Sequence, residues 1–157
     1  MEIERKYLVR ELSADLASYP HVEIEQGYLC TSPTLRIRRM GDSFILTVKE
    51  VVASSQLPVA SGPIVNREEE FTLSREAYEA LLPKCDGRTV SKTRYRIPLD
   101  GGLTAELDIF HGRHEGLQLV EVEFPDVDAA NSFVPPAWFG RDVSADPRYR
   151  NSTLSLA

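Results

Sequence analysis

Cysteine is scarce in this chain, and the features of membrane and nucleic-acid-binding proteins are absent from it. The 157 residues include only two cysteines, Cys30 and Cys85, in no metal-like spacing, so we expect reduced, partly buried thiols. No apolar run is long enough to span a membrane, and Met1 leads into an acidic strand rather than a signal peptide. A cytoplasmic location is therefore expected. The net charge of −6 argues against a general nucleic-acid surface, so any bound anion must be held by a local group of bases.

The first segment, residues 2–8, contains good strand formers and nothing that breaks a strand. Alternate side chains of a β-strand share a face, so Glu2, Glu4 and Lys6 point one way and Ile3, Arg5 and Tyr7 point the other. Two carboxylates at this spacing lie roughly 7 Å apart, which suits oxygen ligation of a hard divalent cation. The lysine one step further suits an anion held by that cation. The alternative is a solvated edge strand of mixed charge.

The same alternation recurs along the chain, and the charges are sorted by segment. Some segments carry only bases on their polar face and others carry only acids. These segments are residues 35–38, 44–49, 68–73, 92–96, 106–109 and 121–124. The recurrence favours a common charged surface built from many strands over a set of unrelated solvated faces.

Local signals predict about eight strands and few helices. Ser74 caps an amphipathic helix over residues 75–82, Asp126 caps a short helix that ends at Phe133, and a C-terminal helix begins at Arg148. The other stretches are interpreted as a short helix or turn over 11–18, an irregular loop over 51–65 and an apolar connector over 135–140. The loop is long enough to suggest a function, although an ordinary surface insertion explains it equally well.

These elements predict one antiparallel α+β domain over residues 1–157. In one arrangement the apolar faces pack inside and the charges face water, as in a sandwich or a half-buried sheet. In the other, the sheet closes into a barrel with a charged lumen, and helices cover its apolar outer face. The sorted charges favour the barrel, since bases and acids enclosed together are expensive unless a metal and a polyanion compensate them.

The ordered motifs resemble those of the CYTH superfamily, the triphosphate tunnel metalloenzymes, and in particular its short bacterial members. The stretch 2–6 resembles the ExExK pattern of that family. The further segments that match in order are residues 26–29, 35–38, 46–49, 92–95, 121–123, 138–140 and 148–151. The resemblance covers essentially the whole chain. It implies a closed barrel of eight antiparallel strands, the triphosphate tunnel, with a charged lumen and a few flanking helices.

Two positions depart from the family pattern. An arginine often stands two residues before the first glutamate of the central acidic strand, where this chain has Asn66. Aligning the neighbouring arginine instead would put Phe71 in place of the second glutamate, so Glu68 and Glu70 are the preferred pair. The residue before Lys92 is often glutamate and here is Ser91. Neither departure removes a core ligand.

The resemblance also implies roles for individual residues. Phosphoryl oxygens would be bound by Arg36, Arg38, Lys49, Lys92, Arg94 and Arg148. Mg²⁺ or Mn²⁺ would be held by Glu2, Glu4, Asp108, Glu121 and Glu123. Catalytic roles, including orientation of the attacking water or ligation of a second metal, are expected for Lys6, Glu68, Glu70, Lys92 and Arg94.

The favoured activity is metal-dependent hydrolysis of inorganic tripolyphosphate to diphosphate and phosphate. The alternatives are hydrolysis of an organic triphosphate such as thiamine triphosphate or a nucleotide, cyclisation of ATP as in class IV adenylyl cyclases, and a non-catalytic module that binds polyphosphate. The preference for the small inorganic substrate rests mainly on analogy with short bacterial relatives. We expect a small-molecule partner, no nucleic acid or membrane partner, and a monomer or homodimer.

Overall fold

The computed structural model describes residues 1–51 and 62–156, which form strands and a few short helices. The strands are β1 (Glu2–Val9), β2 (His21–Thr31), β3 (Thr34–Met40), β4 (Ser43–Val51), β5 (Ile64–Thr72), β6 (Thr89–Pro98), β7 (Thr104–Phe110), β8 (Gln118–Glu123) and β9 (Phe139–Asp142). The α-helices are α1 (Arg75–Leu81), α2 (Val127–Ser132) and α3 (Asn151–Leu154). Single 3₁₀ turns lie at Leu16–Ser18, Leu82–Cys85, Asp100–Gly102, Gly112–His114 and Pro147–Tyr149.

Eight antiparallel strands close into a barrel. The sheet order is β5-β4-β3-β2-β6-β7-β8-β1, and β1 also pairs with β5, which joins the two edges. The first half of β1 closes the ring by pairing with β5, where Glu2 lies opposite Asn66. The second half of β1 pairs with β9. An eight-stranded barrel encloses an interior about wide enough for side chains or one small ligand. The predicted closed antiparallel barrel is confirmed.

A large part of the outer face of the barrel is apolar and covered, as the alternation predicts. Ile3 and Tyr95 pack against a core cluster that contains Val122. Ile37 lies in a second cluster with Tyr78 of α1. Val48 also faces outward, because it pairs with Leu35. Leu35 precedes the inward-facing Arg36 on β3 and therefore lies on the outer face. Helices therefore cover apolar strand faces and leave the charged faces for the lumen.

A third apolar cluster fills one end of the lumen, and we call it the floor. It consists of Val90, Phe110, Leu119, Val143 and Leu154. Strand alternation puts Phe110 on the same face as Asp108, and Leu119 on the same face as Glu121, so these apolar side chains point inward. The C-terminal segment completes the floor with Leu154 and Tyr149. The opposite end, where Glu70 and Glu123 are exposed, is the mouth.

Several local predictions are confirmed. Ser74 caps α1, since its Oγ accepts a hydrogen bond of 3.1 Å from the Ala77 amide. Asp126 caps α2 in the same way, with 2.7 Å from its Oδ1 to the Ala129 amide. Cys30 and Cys85 are both free thiols.

Residues 11–18 contain the 3₁₀ turn Leu16–Ser18, in agreement with the predicted short helix or turn. Other local predictions need correction. The C-terminal helix does not begin at Arg148, because Arg150 is extended and separates the 3₁₀ turn from α3. Part of the predicted connector 135–140 becomes β9, since Phe139 is buried beside Tyr7 along the free half of β1. Of the predicted loop 51–65, Ile64 belongs to β5, and residues 52–61 lie outside the described residues.

Within residues 1–51 and 62–156, no helix is long and apolar enough to cross a bilayer.

Loss of the α1 cap should lower stability by a modest amount. Ser74→Ala removes the acceptor for the Ala77 amide, so we expect a loss of about 1 kcal/mol and a fall of about 2–4 °C in Tm. Glu79→Gln, an exposed change in the same helix, is the control and should leave Tm within about 1 °C. Equal melting of both variants in a thermal scan would show that the cap contributes nothing.

Candidate active site

The barrel brings the sorted charges of the sequence together in one lumen. Strand register places the charged faces of β1 and β3 to β8 inward, whereas the inner face of β2 carries uncharged residues such as Gln26. The predicted site residues on this inner face are Glu2, Glu4, Lys6, Arg36, Arg38, Lys49, Glu68, Glu70, Lys92, Arg94, Asp108, Glu121 and Glu123. Glu70 and Glu123 are exposed at the mouth, whereas Lys92 and Asp108 are almost fully buried.

The deepest charges form a compact ion-paired group above the floor. Lys92 Nζ lies 2.7 Å from Asp108 Oδ2, and Arg94 makes a two-pronged contact with Asp108 at 2.8 and 2.9 Å. Burial, reinforced by Arg94 and Arg38, lowers the pKa of Lys92 to about 7 despite the nearby Asp108 carboxylate. Burial raises the pKa of Asp108, but Arg94 and Lys92 outweigh it and leave that pKa below its ordinary value.

Two further arginines are buried and contact no acidic side chain among residues 1–51 and 62–156. Arg38 Nε donates to Gln26 Oε1 at 2.9 Å, and burial, together with Arg36 and Arg94, lowers the pKa of Arg38 to about 9. Arg36 Nη2 donates to Thr47 Oγ1 at 3.3 Å. Its Nε is buried and has no hydrogen-bond partner within the described part of the chain. A buried, unpaired guanidinium N–H is costly, and an anion in the lumen would satisfy it.

Carboxylates dominate the part of the lumen nearer the mouth. Lys49 Nζ lies 2.9 Å from Glu2 Oε1 and 3.2 Å from Glu68 Oε2, so two acids share one lysine. Burial, Glu121 and Glu2 raise the pKa of Glu4 well above its ordinary value. Burial would also raise the pKa of Glu121, but Lys6 and Arg94 outweigh it and hold that pKa well below its ordinary value. The acids therefore carry more negative charge than the lysines neutralise.

The acidic group has the chemistry of a divalent-cation site. In residues 1–51 and 62–156, no three acidic, histidine or cysteine side chains are close enough to hold a metal ion as they stand. Burial raises the pKa values of Glu4, Glu68 and Glu123, and neighbouring acids raise them further, although Lys49 opposes the shift. A cation among these carboxylates would favour their charged forms. Carboxylate oxygens are the ligands preferred by Mg²⁺ and Mn²⁺. The residues present therefore fit a hard divalent cation.

Comparison with known proteins identifies the family. The family model that describes the CYTH domain matches residues 1–134. The chain belongs to the CYTH domain family.

Individual CYTH proteins match over nearly the full length. The inorganic triphosphatase of Nitrosomonas europaea is 40% identical over 161 residues, covering 99% of this chain and 97% of the relative. The inorganic triphosphatase of Acetivibrio thermocellus is 36% identical over 157 residues, covering 98% and 92%. A crystal structure of an inorganic triphosphatase superposes with a TM-score of 0.70 at 38% identity, covering 100% of this chain and 95% of the other. A putative adenylyl cyclase from Hippeastrum, 17% identical with a TM-score of 0.57 over 83% of each chain, shares the fold.

The CYTH tunnel leaves one predicted site residue outside the lumen. Arg148 has a side chain that is 71% exposed and contacts Asp146 Oδ2 at 2.6 Å, on the 3₁₀ turn that precedes α3. The family match over residues 148–151 implied a phosphoryl contact for this arginine, but a sequence match does not show which way an exposed side chain points. Its proposed contact with substrate would require release from Asp146.

The structure also bears on the two departures from the CYTH pattern. Asn66 is buried and its Nδ2 donates to Glu2 Oε1 at 3.1 Å, so it lies among the acids. Arg67 is exposed on the other face of β5, and Glu68 stands opposite Lys49 in the register. This placement supports the alignment that uses Glu68 and Glu70. Ser91 is exposed on the outer face of β6.

Neutral lumen residues were not predicted as part of the site. Gln26 is fully buried, accepts from Arg38 and donates to Tyr28 Oη at 2.9 Å, while Thr47 supports Arg36. Strand alternation puts both on inner faces and would have found them. Asn151 also contacts the lumen, but it comes from α3, and strand alternation gives no sign of it.

A cavity of about 510 Å³ at the mouth is lined in part by Arg96, Glu106 and Glu123. Another, of about 330 Å³, lies on the outer face near Tyr19 and Trp138, and its lining residues include none of the predicted site residues. The mouth cavity is the one that adjoins the predicted site.

Proposed function

We propose that this CYTH protein hydrolyses inorganic tripolyphosphate to diphosphate and phosphate inside its tunnel, with a divalent metal ion. The names of its full-length relatives support the activity. The observation that carries the proposal within the molecule is the buried Arg36 Nε that lacks a partner in the described residues, beside Arg38 and within the same lumen as the acids. Such an arrangement is satisfied by a polyanion on the bases and a cation on the acids.

The bases neutralise and orient the phosphoryl chain. Arg36, Arg38 and Arg94 present guanidinium groups suited to two-pronged contacts with phosphoryl oxygens, and Lys49 and Lys92 add point charges. Because these side chains are buried and partly held by Thr47, Gln26 and Asp108, they are organised before substrate binds. Preorganised charge of this kind stabilises the negative charge of the transferring phosphoryl group.

The apolar floor closes one end of the lumen and so determines how the substrate is oriented in it. Below Lys92 the lumen is filled by apolar side chains such as Phe110 and Leu154, so the chain enters from the acidic mouth. A free terminal phosphoryl group then lies deepest, next to Lys92 and Arg94. Any organic substituent would remain near the mouth, where the cavity of about 510 Å³ has room for it but offers no exposed aromatic ring among its lining residues. This favours the unsubstituted chain.

The acids near the mouth would hold the metal. CYTH triphosphatases are generally dependent on divalent metals, and here Glu2, Glu4, Glu121 and Glu123 are the proposed ligands for Mg²⁺ or Mn²⁺. Such an ion supplies neutralisation of phosphoryl oxygens and a lower pKa for bound water. Asp108 is a weaker candidate, since both of its oxygens contact Lys92 or Arg94.

Three residues are proposed to act around the attacked phosphorus, which would be that of the terminal phosphoryl group nearer the mouth. Glu68 and Glu70 would orient the water, since they follow one another along the inner face of β5 towards the mouth. Lys6 lies 3.8 Å from Glu121 and would hold that carboxylate ionised. A cytoplasmic location and a monomeric or homodimeric state remain predictions.

A substrate panel tests the proposed function. Phosphate release is measured from tripolyphosphate, ATP and thiamine triphosphate, with cyclic AMP assayed in the same ATP reactions. We expect the highest kcat/KM for tripolyphosphate and no cyclic AMP. A higher kcat/KM for either organic triphosphate would replace the proposed substrate, and cyclic AMP formation would replace the proposed reaction. Tight binding without turnover of any compound would indicate a binding module.

Metal removal should abolish activity reversibly. Treatment with a chelator should stop phosphate release, and added Mg²⁺ or Mn²⁺ should restore it, because the proposed ligands are all carboxylates. The fold is held by the barrel and not by the metal, so the chelated protein should still melt cooperatively. Undiminished hydrolysis in excess chelator would show that the acids near the mouth do not act through a metal.

A further inference from the structure

A side chain from the C-terminal helix reaches the deepest base of the lumen. Lys92 Nζ donates to Asn151 Oδ1 at 3.0 Å, and Lys92 itself is fully buried. Asn151 is the first residue of α3, which lies beyond residues 1–134 matched by the CYTH family model. The strand carrying Lys92 and the helix carrying Asn151 are 59 residues apart in sequence.

Lys92 needs such a contact if its ammonium group is to point in one direction. A lysine side chain has a flexible four-carbon stem and three equivalent donors, so the strand alone does not fix the ammonium. Asp108 Oδ2 accepts one donor at 2.7 Å, and Asn151 Oδ1 accepts a second. The face of the Phe110 ring, 5.4 Å from Nζ, lies on the floor side. Asp108 and Asn151 accept two of the three ammonium N–H groups, and Phe110 occupies the floor side. The third N–H is therefore available to a ligand in the lumen.

The C-terminal segment is anchored well enough to act as a support. Leu154 is buried in the floor, and its carbonyl accepts from His114 Nε2 at 2.6 Å. Arg113 Nη2 donates to the Ser155 carbonyl at 3.2 Å. On the lumen side, Lys6 Nζ donates to the Tyr149 carbonyl at 2.9 Å. Helix α3 is therefore held from two sides, so the position of Asn151 is defined by the fold.

We propose that Asn151 is a positioning residue, which holds the Lys92 ammonium so that its remaining N–H donates to the terminal phosphoryl group of the substrate. This inference rests on the proposed triphosphatase function for its kinetic consequence only. The geometric part, that Asn151 immobilises Lys92, stands without any substrate. Asn151 itself touches neither the substrate nor a reacting atom.

The experiment compares two replacements of Asn151 that differ in one property. Asn151→Leu is similar in size and has no acceptor, whereas Asn151→Asp keeps an oxygen acceptor. Thr153→Val, an exposed change in the same helix, is the matched control. We expect kcat with tripolyphosphate to fall up to about 100-fold for Asn151→Leu, since misplacing one catalytic group by about 1 Å has effects of that size. Asn151→Asp should recover most of the rate, and Tm should change little in any of the three variants.

The ammonium group gives a second readout that needs no turnover. In ¹H–¹⁵N spectra of lysine side chains at mildly acidic pH, the Lys92 signal is assigned by its loss in Lys92→Arg. We expect a protected, sharp signal in the wild type, in Asn151→Asp and in Thr153→Val, and a broadened or missing signal in Asn151→Leu.

The two readouts separate failure of this inference from failure of the proposed function. An inactive wild type with the expected spectra would overturn the proposed function and support the immobilisation of Lys92 by Asn151. An unchanged Lys92 signal in Asn151→Leu would overturn the inference, whatever the activity. So would a kcat for Asn151→Asp as low as that of Asn151→Leu, or a loss of rate explained entirely by a lower Tm.

Discussion

The Glu4→Gln variant should fold normally and lose at least about 100-fold in tripolyphosphatase rate, because several kcal/mol of metal-dependent stabilisation of the transition state would be removed. Glu4 lies near Glu2 and Glu121, and its raised pKa shows that the neighbouring acids and burial already disfavour its charge in the metal-free tunnel. Neutral glutamine of nearly equal size relieves that repulsion. The melting temperature should therefore stay the same or rise while activity disappears.

Glu69→Gln is the control for this change. Glu69 lies on the exposed outer face of β5, so the variant loses the same charge outside the lumen. It should keep full activity and a similar Tm. Wild-type rates for Glu4→Gln, or an equal loss in both variants, would show that the first strand does not form the metal site. Loss of activity together with loss of cooperative melting would point to a structural role for Glu4.

Asp108→Asn should destabilise the protein strongly. The change leaves the buried Lys92 and Arg94 without the carboxylate that both contact. Removing one partner of a buried ion pair typically lowers the free energy of unfolding by about 3–5 kcal/mol, which corresponds to a fall of about 6–20 °C in Tm for a domain of this size. Asp86→Asn, at an exposed left-handed residue that asparagine tolerates well, is the control.

The effect of Asp108→Asn should depend on pH in a defined direction. The pKa of Asp108 is lower in the folded protein than its ordinary value of about 3.9. Its stabilising contribution is therefore complete above that ordinary value and is lost as the pH falls through the lower, folded value. The difference in Tm between wild type and variant should therefore shrink as the pH falls below that ordinary value. A difference that kept growing below that value, or a variant Tm equal to that of the wild type at neutral pH, would contradict the proposed role of the Asp108 ion pairs.

Much of the barrel could be predicted because side chains alternate between the two faces of a β-strand every two residues, which can be recognised directly in the sequence. Alternation along a strand assigns every second residue to one face, so the sorted charges of Glu2, Arg36, Lys92 and Glu121 favoured one charged lumen over a solvated sheet, and the family resemblance implied the closed barrel. The same rule would have added Gln26 and Thr47. What alternation cannot supply is the depth of each residue along the tunnel, since that depends on strand tilt and closure.

Features set by contacts distant in sequence were not predictable. The family resemblance implied that Asp108 is a metal ligand, and only the assembled barrel shows Lys92 and Arg94 on its two oxygens. Strand β9 forms because half of β1 has a free edge, which no local pattern in residues 139–142 reveals. The contact of Asn151 with Lys92 depends on where the C-terminal segment crosses the floor.

The central claim is that the lumen binds a triphosphate chain together with a divalent cation. Thermal melts with tripolyphosphate, diphosphate and phosphate test it most directly. Calcium replaces the natural metal, because a hard cation that supports little turnover keeps the ligand intact. Tripolyphosphate at a hundredfold excess over its Kd should stabilise by about 2.7 kcal/mol and raise Tm by about 5–10 °C. The shift should decrease from tripolyphosphate to diphosphate to phosphate, and Arg38→Ala should reduce it. No shift with millimolar tripolyphosphate, or an equal shift with phosphate, would contradict a tunnel that selects triphosphate.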